Sequence, residues 1–178
     1  PGDTVAMCKA LIDICKKAAV RPEYFSCDRT GPGSGVADLM RHNWSGAIHD
    51  VNYSAGASTE KMMQEDTETC EEQYERMFTE LLFGVRMWGE FGLLLLSPKL
   101  DMSKLTQQLT QRQFRTGLKK KAESKKDYKL RGFKSPDEGD SLSLFVYAAR
   151  KGSGVIPSMK GEAAARQNVW EGDWPGSN

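Results

Sequence analysis

Apolar residues recur at helical spacing near the start of the chain. Val5, Cys8, Leu11, Ile12 and Cys15 share one face and predict an amphipathic helix over Asp3 to Ala19. Lys16 and Lys17 suit its C-terminal end, and Pro22 follows the stop. The run Glu23 to Cys27 is short, aromatic and β-prone, which predicts a strand ending at Asp28. A glycine-rich turn then leads into a helix from Val36 to about Arg41, and Ala47 to Tyr53 forms a second strand candidate. Tyr74, Met77, Phe78, Leu81, Val85 and Trp88 mark the apolar stripe of a long helix over Thr67 to Glu90. "GLLLL" (Gly92 to Leu96) reads as a buried strand closed by Ser97-Pro98. Leu105 and Leu109, at i and i+4, predict a short helix, and Gly117 to Arg131 contains a strand followed by a turn or short helix. The last helix spans Ser135 to Arg150, with Ser135 as N-cap, Pro136 as first helical residue, and Leu142, Phe145, Val146 and Ala149 facing inward.

Strands alternate with helices, so the fold class is α/β, although about four strands is few for such a sheet. Residues 1–150 read as one domain. Residues 151–178, rich in Gly, Ser, Ala and Pro and carrying Trp170 and Trp174, read as a poorly ordered tail. The chain opens without a methionine, which suits a fragment.

Composition narrows this picture only slightly. Of 178 residues, 39% are hydrophobic and 28% charged, and no apolar run approaches the ~20 residues a membrane-spanning helix needs, so no membrane partner is expected. The four cysteines form no CxxC pair and the two histidines lie far from any of them, which argues against zinc and for reduced, buried thiols. Charge changes more. The net charge is only +1, yet Arg112 to Lys134 is dominated by bases, opposed only by Glu123 and Asp127, while Glu60 to Glu80 is acidic and reads as a solvated helix face.

The candidate chemistry lies at two places. "CDRTGPGSGVADL" lacks the GK[ST] ending of a P-loop and the third glycine of a dinucleotide fingerprint, so it is no phosphate cradle of either kind. It leaves Asp28 where a strand runs out, a position at which open α/β sheets place their ligands. Asp137 and Asp140, three residues apart at the mouth of the last helix, can point at one ion. Their plainer role is favourable charge on the helix dipole. Phe114, Tyr128 and Phe133, interleaved with the bases, read as core packing rather than base stacking. The His49-Asp50 pair, Ser34, Ser45 and the cysteines suggest no nucleophilic catalysis.

The order of "YFSCDRTGPGSGVADLM", "YERMFTELLFGVRMW", "LTQQLTQRQF" and "ESKKDYKLRGFKSPDEGDSLSLFVYA" resembles the C-terminal nuclease domain of phage terminase large subunits over about residues 3 to 150. The resemblance implies an RNase H-like (RuvC-like) mixed sheet flanked by helices and endonuclease cleavage of concatemeric double-stranded viral DNA with two Mg²⁺ or Mn²⁺ ions. It implies the portal and small terminase subunit as partners of the full-length protein, at the procapsid in the host cytoplasm. It assigns Asp28 as the central-strand ligand and Asp140, assisted by Asp137, as the last one. Lys125 sits where the family has a lysine. Lys119, Lys120, Lys121, Lys125, Lys126 and Arg131 become the DNA-binding set. The family's opening strands, with the first catalytic Asp, and its ATPase motor have no counterpart here, so the fragment's own activity is an open expectation. A noncatalytic module that docks on DNA or a packaging partner through residues 112–134 is the alternative. In a third reading the acids are caps and nothing more.

Overall fold

The computed structural model describes residues 3–31 and 33–158; of the expected tail, residues 151–153 belong to the last helix, the Gln64 amide donates to the Pro157 carbonyl at 2.9 Å, and residues 159–178, with Trp170 and Trp174, lie outside the described residues. Helix α1 spans Thr4–Lys17. It starts where the Asp3 carboxylate accepts the Val5 and Ala6 amides at 2.9 and 3.1 Å, satisfying donors that a helix start leaves orphaned. Its buried positions, Cys8, Ile12 and Cys15, follow the expected stripe. A 3-10 turn (Pro22–Tyr24) replaces the front of the expected first strand, so β1 is only Ser26–Asp28. Helix α2 (Gly33–Asn43) leads to β2 (His49–Val51), parallel to β1 with Cys27 opposite Asp50. Cys8, Ile12, Met40 and Ile48 form the core between α1, α2 and this pair, with Phe25 and Trp44 packed against it.

The long helix expected over Thr67 to Glu90 is broken. A single turn, α3 (Cys70–Gln73), is followed by extended residues, and α4 runs only from Met77 to Glu90. The break has a cause outside the local sequence. Strands β3 (Phe114–Thr116) and β4 (Lys120–Ala122) form an antiparallel hairpin, and β4 bridges to Tyr74 while the Lys120 carbonyl accepts the Glu75 amide at 2.9 Å. An amide bonded to a neighbouring strand cannot also serve the helical ladder.

The expected strand at Gly92 to Leu96 is irregular chain. Leu93, Leu94 and Leu96 still bury, against Val85, Trp88, Leu105, Leu142 and Val146, without a ladder partner, while Leu95 faces water. Helix α5 (Met102–Thr110) supplies Leu105 to this core. Helix α6 (Lys125–Leu130) is capped by Ser124, whose Oγ accepts the Asp127 amide at 3.1 Å.

Helix α7 (Asp137–Ser153) is the spine of the molecule. Pro136, not Ser135, occupies its N-cap, and Ser135 Oγ instead donates to Asp137 Oδ1 at 2.7 Å. The helix ends at Gly154, whose left-handed φ of 66° a residue with a side chain would resist. Leu142 and Val146 face inward as expected; Phe145 does not and is 55% exposed. Helices α4 and α7 pack closely because Gly84 has no side chain, and a Cβ there would already touch Arg150 Nη1 at 3.4 Å. Between them lies Glu80, expected on a solvated face but fully buried. Its carboxylate accepts the Ser58 amide at 2.7 Å and the Ser58 hydroxyl at 2.9 Å, with Arg150 Nη1 at 3.6 Å. A buried carboxylate survives only with such company.

Among the described residues the strands form two separate pairs rather than one mixed sheet, and no third strand joins β1 and β2. The class is nonetheless mixed α/β as expected, with helices carrying most of the core.

Leu81 is 1% exposed and packs with Val51 and Tyr53. Leu81→Ala is expected to cost about 2–5 kcal/mol, read as a lower urea midpoint at unchanged slope. Glu138 at the start of α7 bonds to Lys104 and Gln108 of α5, and these contacts hold its carboxyl down at about 2. A depressed folded-state value means the stabilisation is present at neutral pH and is lost as pH falls from the ordinary glutamate range toward 2. The melting-temperature gap between wild type and Glu138→Gln should therefore narrow between about pH 5 and about pH 3, as followed by circular dichroism.

Candidate active site at the mouth of helix α7

Two anchors show that the chain through β1 runs antiparallel to α7. A Cβ on Gly152 would lie 2.7 Å from the Glu23 carbonyl, and Ser26 Oγ donates to the Leu144 carbonyl at 2.7 Å. From that bond, two strand residues advance about 6.6 Å to Asp28. Four helix residues step back about 6 Å to Asp140. The carboxyl end of β1 and the N-terminus of α7 thus reach the same level of the molecule. Tyr53 joins them. Its amide donates to Thr30 Oγ1 at 3.1 Å in the turn after Asp28, and its hydroxyl donates to the Asp140 carbonyl at 3.3 Å. Burial, then the charge of Asp140 and less strongly that of Asp28, pushes the Tyr53 phenol above its ordinary pKa.

Asp28 leaves β1 into a tight turn. Its Oδ1 accepts the Thr30 amide at 2.7 Å, and Gly33 sits so close that a Cβ would fall 2.1 Å from the Asp28 carbonyl oxygen. Asp28 and Cys27 alternate along the strand, so the thiol packs into the α1–α2 core, away from the carboxylate. Asp140 is 4% exposed. Its Oδ1 accepts Arg112 Nη2 at 3.0 Å, and its Oδ2 lies 2.6 Å from Lys125 Nζ. Burial pushes the Asp140 carboxyl up and the Arg112 guanidinium down; the two cations oppose the first shift and Asp140 opposes the second.

Asp137 does not join this pair closely. Its side chain is 72% exposed, bonded to Ser135 and 3.9 Å from Lys125 Nζ. Among the described residues no three His, Cys, Asp or Glu side chains gather tightly enough to hold an ion between them. Asp28, Asp137 and Asp140 therefore border one end of the fold without forming the single cluster their sequence positions suggested.

The basic segment is not one solvated surface. Arg112 is buried: its guanidinium lies 4.9 and 5.0 Å from the Phe78 and Tyr128 ring centres and donates to the Glu123 carbonyl at 3.0 Å. Arg131 pairs with Glu123 at 2.6 Å and Lys121 with Glu75 at 2.7 Å, while Lys120 lies over the Tyr74 and Phe83 rings. Lys119 and Lys126 are exposed. Tyr128 is buried and stacks on Phe133, as expected of core aromatics, but Phe114 is 51% exposed. Arg112 and Tyr53 are the site residues the sequence did not single out. A lone arginine opening a basic run gives no sign that it turns inward.

Beside this pair opens a cleft of about 660 Å³ between the start of α4, the β3–β4 hairpin and the start of α6. Arg76, Arg115, Lys121 and Lys125 line it against Glu123 and Asp127, and Tyr53 and Lys125 connect it to Asp140.

Fold and site together describe a helix-rich α/β domain with aspartates at a strand end and a helix mouth beside a cationic cleft. No family model and no curated protein matches the sequence. Among solved structures the chain is similar to the nuclease domain of the large terminase subunit gp2 of bacterial virus Sf6, a lysine-to-alanine mutant with manganese and beta-thujaplicinol. The TM-score is 0.58 at 14% identity, over 82% of this chain and 73% of that one. This chain thus shares the fold of a terminase nuclease domain.

With side chains of Arg112 and Asp140 only 4% and 6% exposed, breaking their pair leaves a charge stranded in the interior. Arg112→Met should cost about 3–5 kcal/mol. Adding Asp140→Asn should recover part of that loss, measured as a non-additive coupling in a double-mutant cycle.

Proposed function

We propose that this chain is the nuclease domain of a viral DNA-packaging terminase, an endonuclease that hydrolyses phosphodiesters of double-stranded DNA with two divalent cations, Mg²⁺ or Mn²⁺. The observation that carries the reading is the placing of a strand-end aspartate, Asp28, and a buried helix-mouth aspartate, Asp140, at the same level of the fold, with a cleft of four cationic side chains on the Lys125 side of Asp140. The likeness to a terminase nuclease domain with manganese supports it.

The donor set fits a hard cation. Mg²⁺ and Mn²⁺ favour oxygen, and an Mg²⁺ ion usually takes only one or two carboxylates, completing its sphere with water and substrate phosphate. The missing three-carboxylate cluster is therefore no obstacle to ions that arrive with DNA. Such ions, when bound, activate a water and stabilise the leaving oxygen. In this chain Asp28 and Asp140 would be the ligands, with Asp137 assisting from the first turn of α7. Arg112 fixes the rotamer of Asp140 through Oδ1 and leaves Oδ2 on the Lys125 side. Lys125 and Lys121 sit along the cleft where a phosphate backbone would pass, with Lys119, Lys126 and Arg131 further out on the same segment. Assembly with a portal and a small subunit at the procapsid, in the host cytoplasm, belongs to the same proposal.

A second reading is favoured by one observation: Asp140 already has two cationic partners, so its charge is balanced without a metal. On that reading the domain docks on DNA or a packaging partner through residues 112–134 and cuts nothing.

Manganese titration separates the two. At about a hundredfold excess over the dissociation constant, a bound ion stabilises by about 2.7 kcal/mol, or roughly 5–10 °C in a domain this size. Wild type should show that shift and nick supercoiled plasmid. Asp28→Asn and Asp140→Asn should show neither, and Asp137→Asn should retain part of both. Equal shifts in all four proteins, without nicking, would leave the docking reading.

A further inference from the structure

The hairpin of β3 and β4 has an unusual tip. Thr116 pairs with Lys120, so Gly117, Leu118 and Lys119 form the loop. Leu118 is 105% exposed, more than any other large apolar residue described. A single exposed leucine is ordinary on a protein surface. This one stands in "RTGLKKK", between Arg115 and three lysines, at the tip of a hairpin whose Arg115 and Lys121 line the cleft that leads to Asp140.

The rest of the hairpin is committed to holding it still. The Lys120 carbonyl ties it to Glu75, the Lys120 ammonium lies 5.4 and 5.3 Å from the Tyr74 and Phe83 ring centres, Lys121 pairs with Glu75, and the Phe114 ring packs edge-on against Phe83 at 5.4 Å. Arg115, Lys119 and the leucine itself are exposed and take no part in that bracing. An apolar side chain flanked by cations on a braced, projecting turn is suited to one kind of surface: a duplex whose phosphates meet the cations while the apolar group enters between base pairs from the minor groove.

We infer that the β3–β4 hairpin is a DNA-deforming element, with Leu118 wedging into a base step and Arg115 and Lys119 holding the flanking phosphates. The inference rests on the DNA-binding part of the function proposed above and not on cleavage. A wedged step opens the stack and bends the duplex by about 20–90°. The bend would turn a duplex held at the hairpin toward the cleft and the aspartates beyond it.

The test uses the whole chain and a short duplex carrying a fluorescent donor and acceptor at its two ends, with EDTA present so that nothing is cut. Wild type should bind with a steep salt dependence and raise energy transfer. Leu118→Ala should melt like wild type, since the side chain is fully exposed, keep the salt slope, and lose most of the rise in transfer. Arg115→Ala with Lys119→Ala should lower the salt slope by about 2. Binding without a rise in transfer, or a rise that Leu118→Ala preserves, overturns the wedge, as does binding to anionic lipid vesicles in place of DNA. The two readings fail separately. Plasmid nicking with manganese but no bending leaves the nuclease without the wedge. Bending without nicking leaves the wedge without the nuclease.

Discussion

The interior pair of Arg112 and Asp140 is the constraint on which the candidate site depends. Its two ends belong to different parts of the fold. Arg112 follows α5 and precedes β3, whereas Asp140 lies in the first turn of α7. Between them the guanidinium also reaches the Phe78 ring of α4, the Tyr128 ring of α6 and the Glu123 carbonyl after β4. One side chain thus ties α4, α6, α7 and the end of β4 together about a single carboxylate. Arginine suits this place because its planar, delocalised cation tolerates rings on its face while its edge serves oxygen. Taking both charges out of water is costly, and an apolar pair of similar volume would hold these elements together about as well. What the ion pair adds is a fixed direction for Asp140, with one oxygen turned to the interior and the other toward Lys125 and the cleft.

A second constraint acts through the backbone. The break between α3 and α4 takes the Glu75 amide out of the helical ladder and gives it to the Lys120 carbonyl, so that β4 gains an anchor. The same extended residues let the Met77 and Phe78 amides, at the start of α4, donate to the carbonyls of Ala55 and Tyr53. The broken helix therefore positions both the hairpin on one side and the Tyr53 loop on the other. Tyr53 in turn links the turn after Asp28 to Asp140. A continuous helix would leave those two loops without backbone partners, and the cleft without its floor.

How far the residues alone reveal this follows from the range of the forces involved. Helix α1, β2 and the inward face of α7 at Leu142 and Val146 are set by local periodicity and are legible. So is the placing of Asp28 at a strand end and Asp140 at a helix mouth. The break at Tyr74 is not legible, because "CEEQYERMFTELLF" has sound helical patterning and loses only to a strand some 45 residues away in the chain. "GLLLL" has strand composition but no strand beside it, and bulky apolar residues can bury without a ladder. Glu80 and Arg112 mislead for a shared reason. Charged residues are almost never buried unless paired, and their partners, Arg150 and Asp140, are far off in sequence. A run of bases carries no local sign of this, while the fold divides it between core, hairpin anchor and solvent.

That division bears on the DNA binding proposed for this chain. A uniformly solvated cationic loop binds a polyanion by charge alone and without direction. In this chain the interior takes Arg112, Glu123 takes Arg131 and Glu75 takes Lys121, which removes much of the segment's freedom and leaves few cations at defined places. Fewer and better-placed charges weaken the nonspecific attraction but fix the angle at which a backbone can lie. The proposed nuclease would need that angle, since phosphodiester hydrolysis depends on where the scissile phosphate sits relative to the cations that Asp28 and Asp140 would hold. The folding demands on the basic segment and the positional demands of the proposed chemistry therefore pull in the same direction.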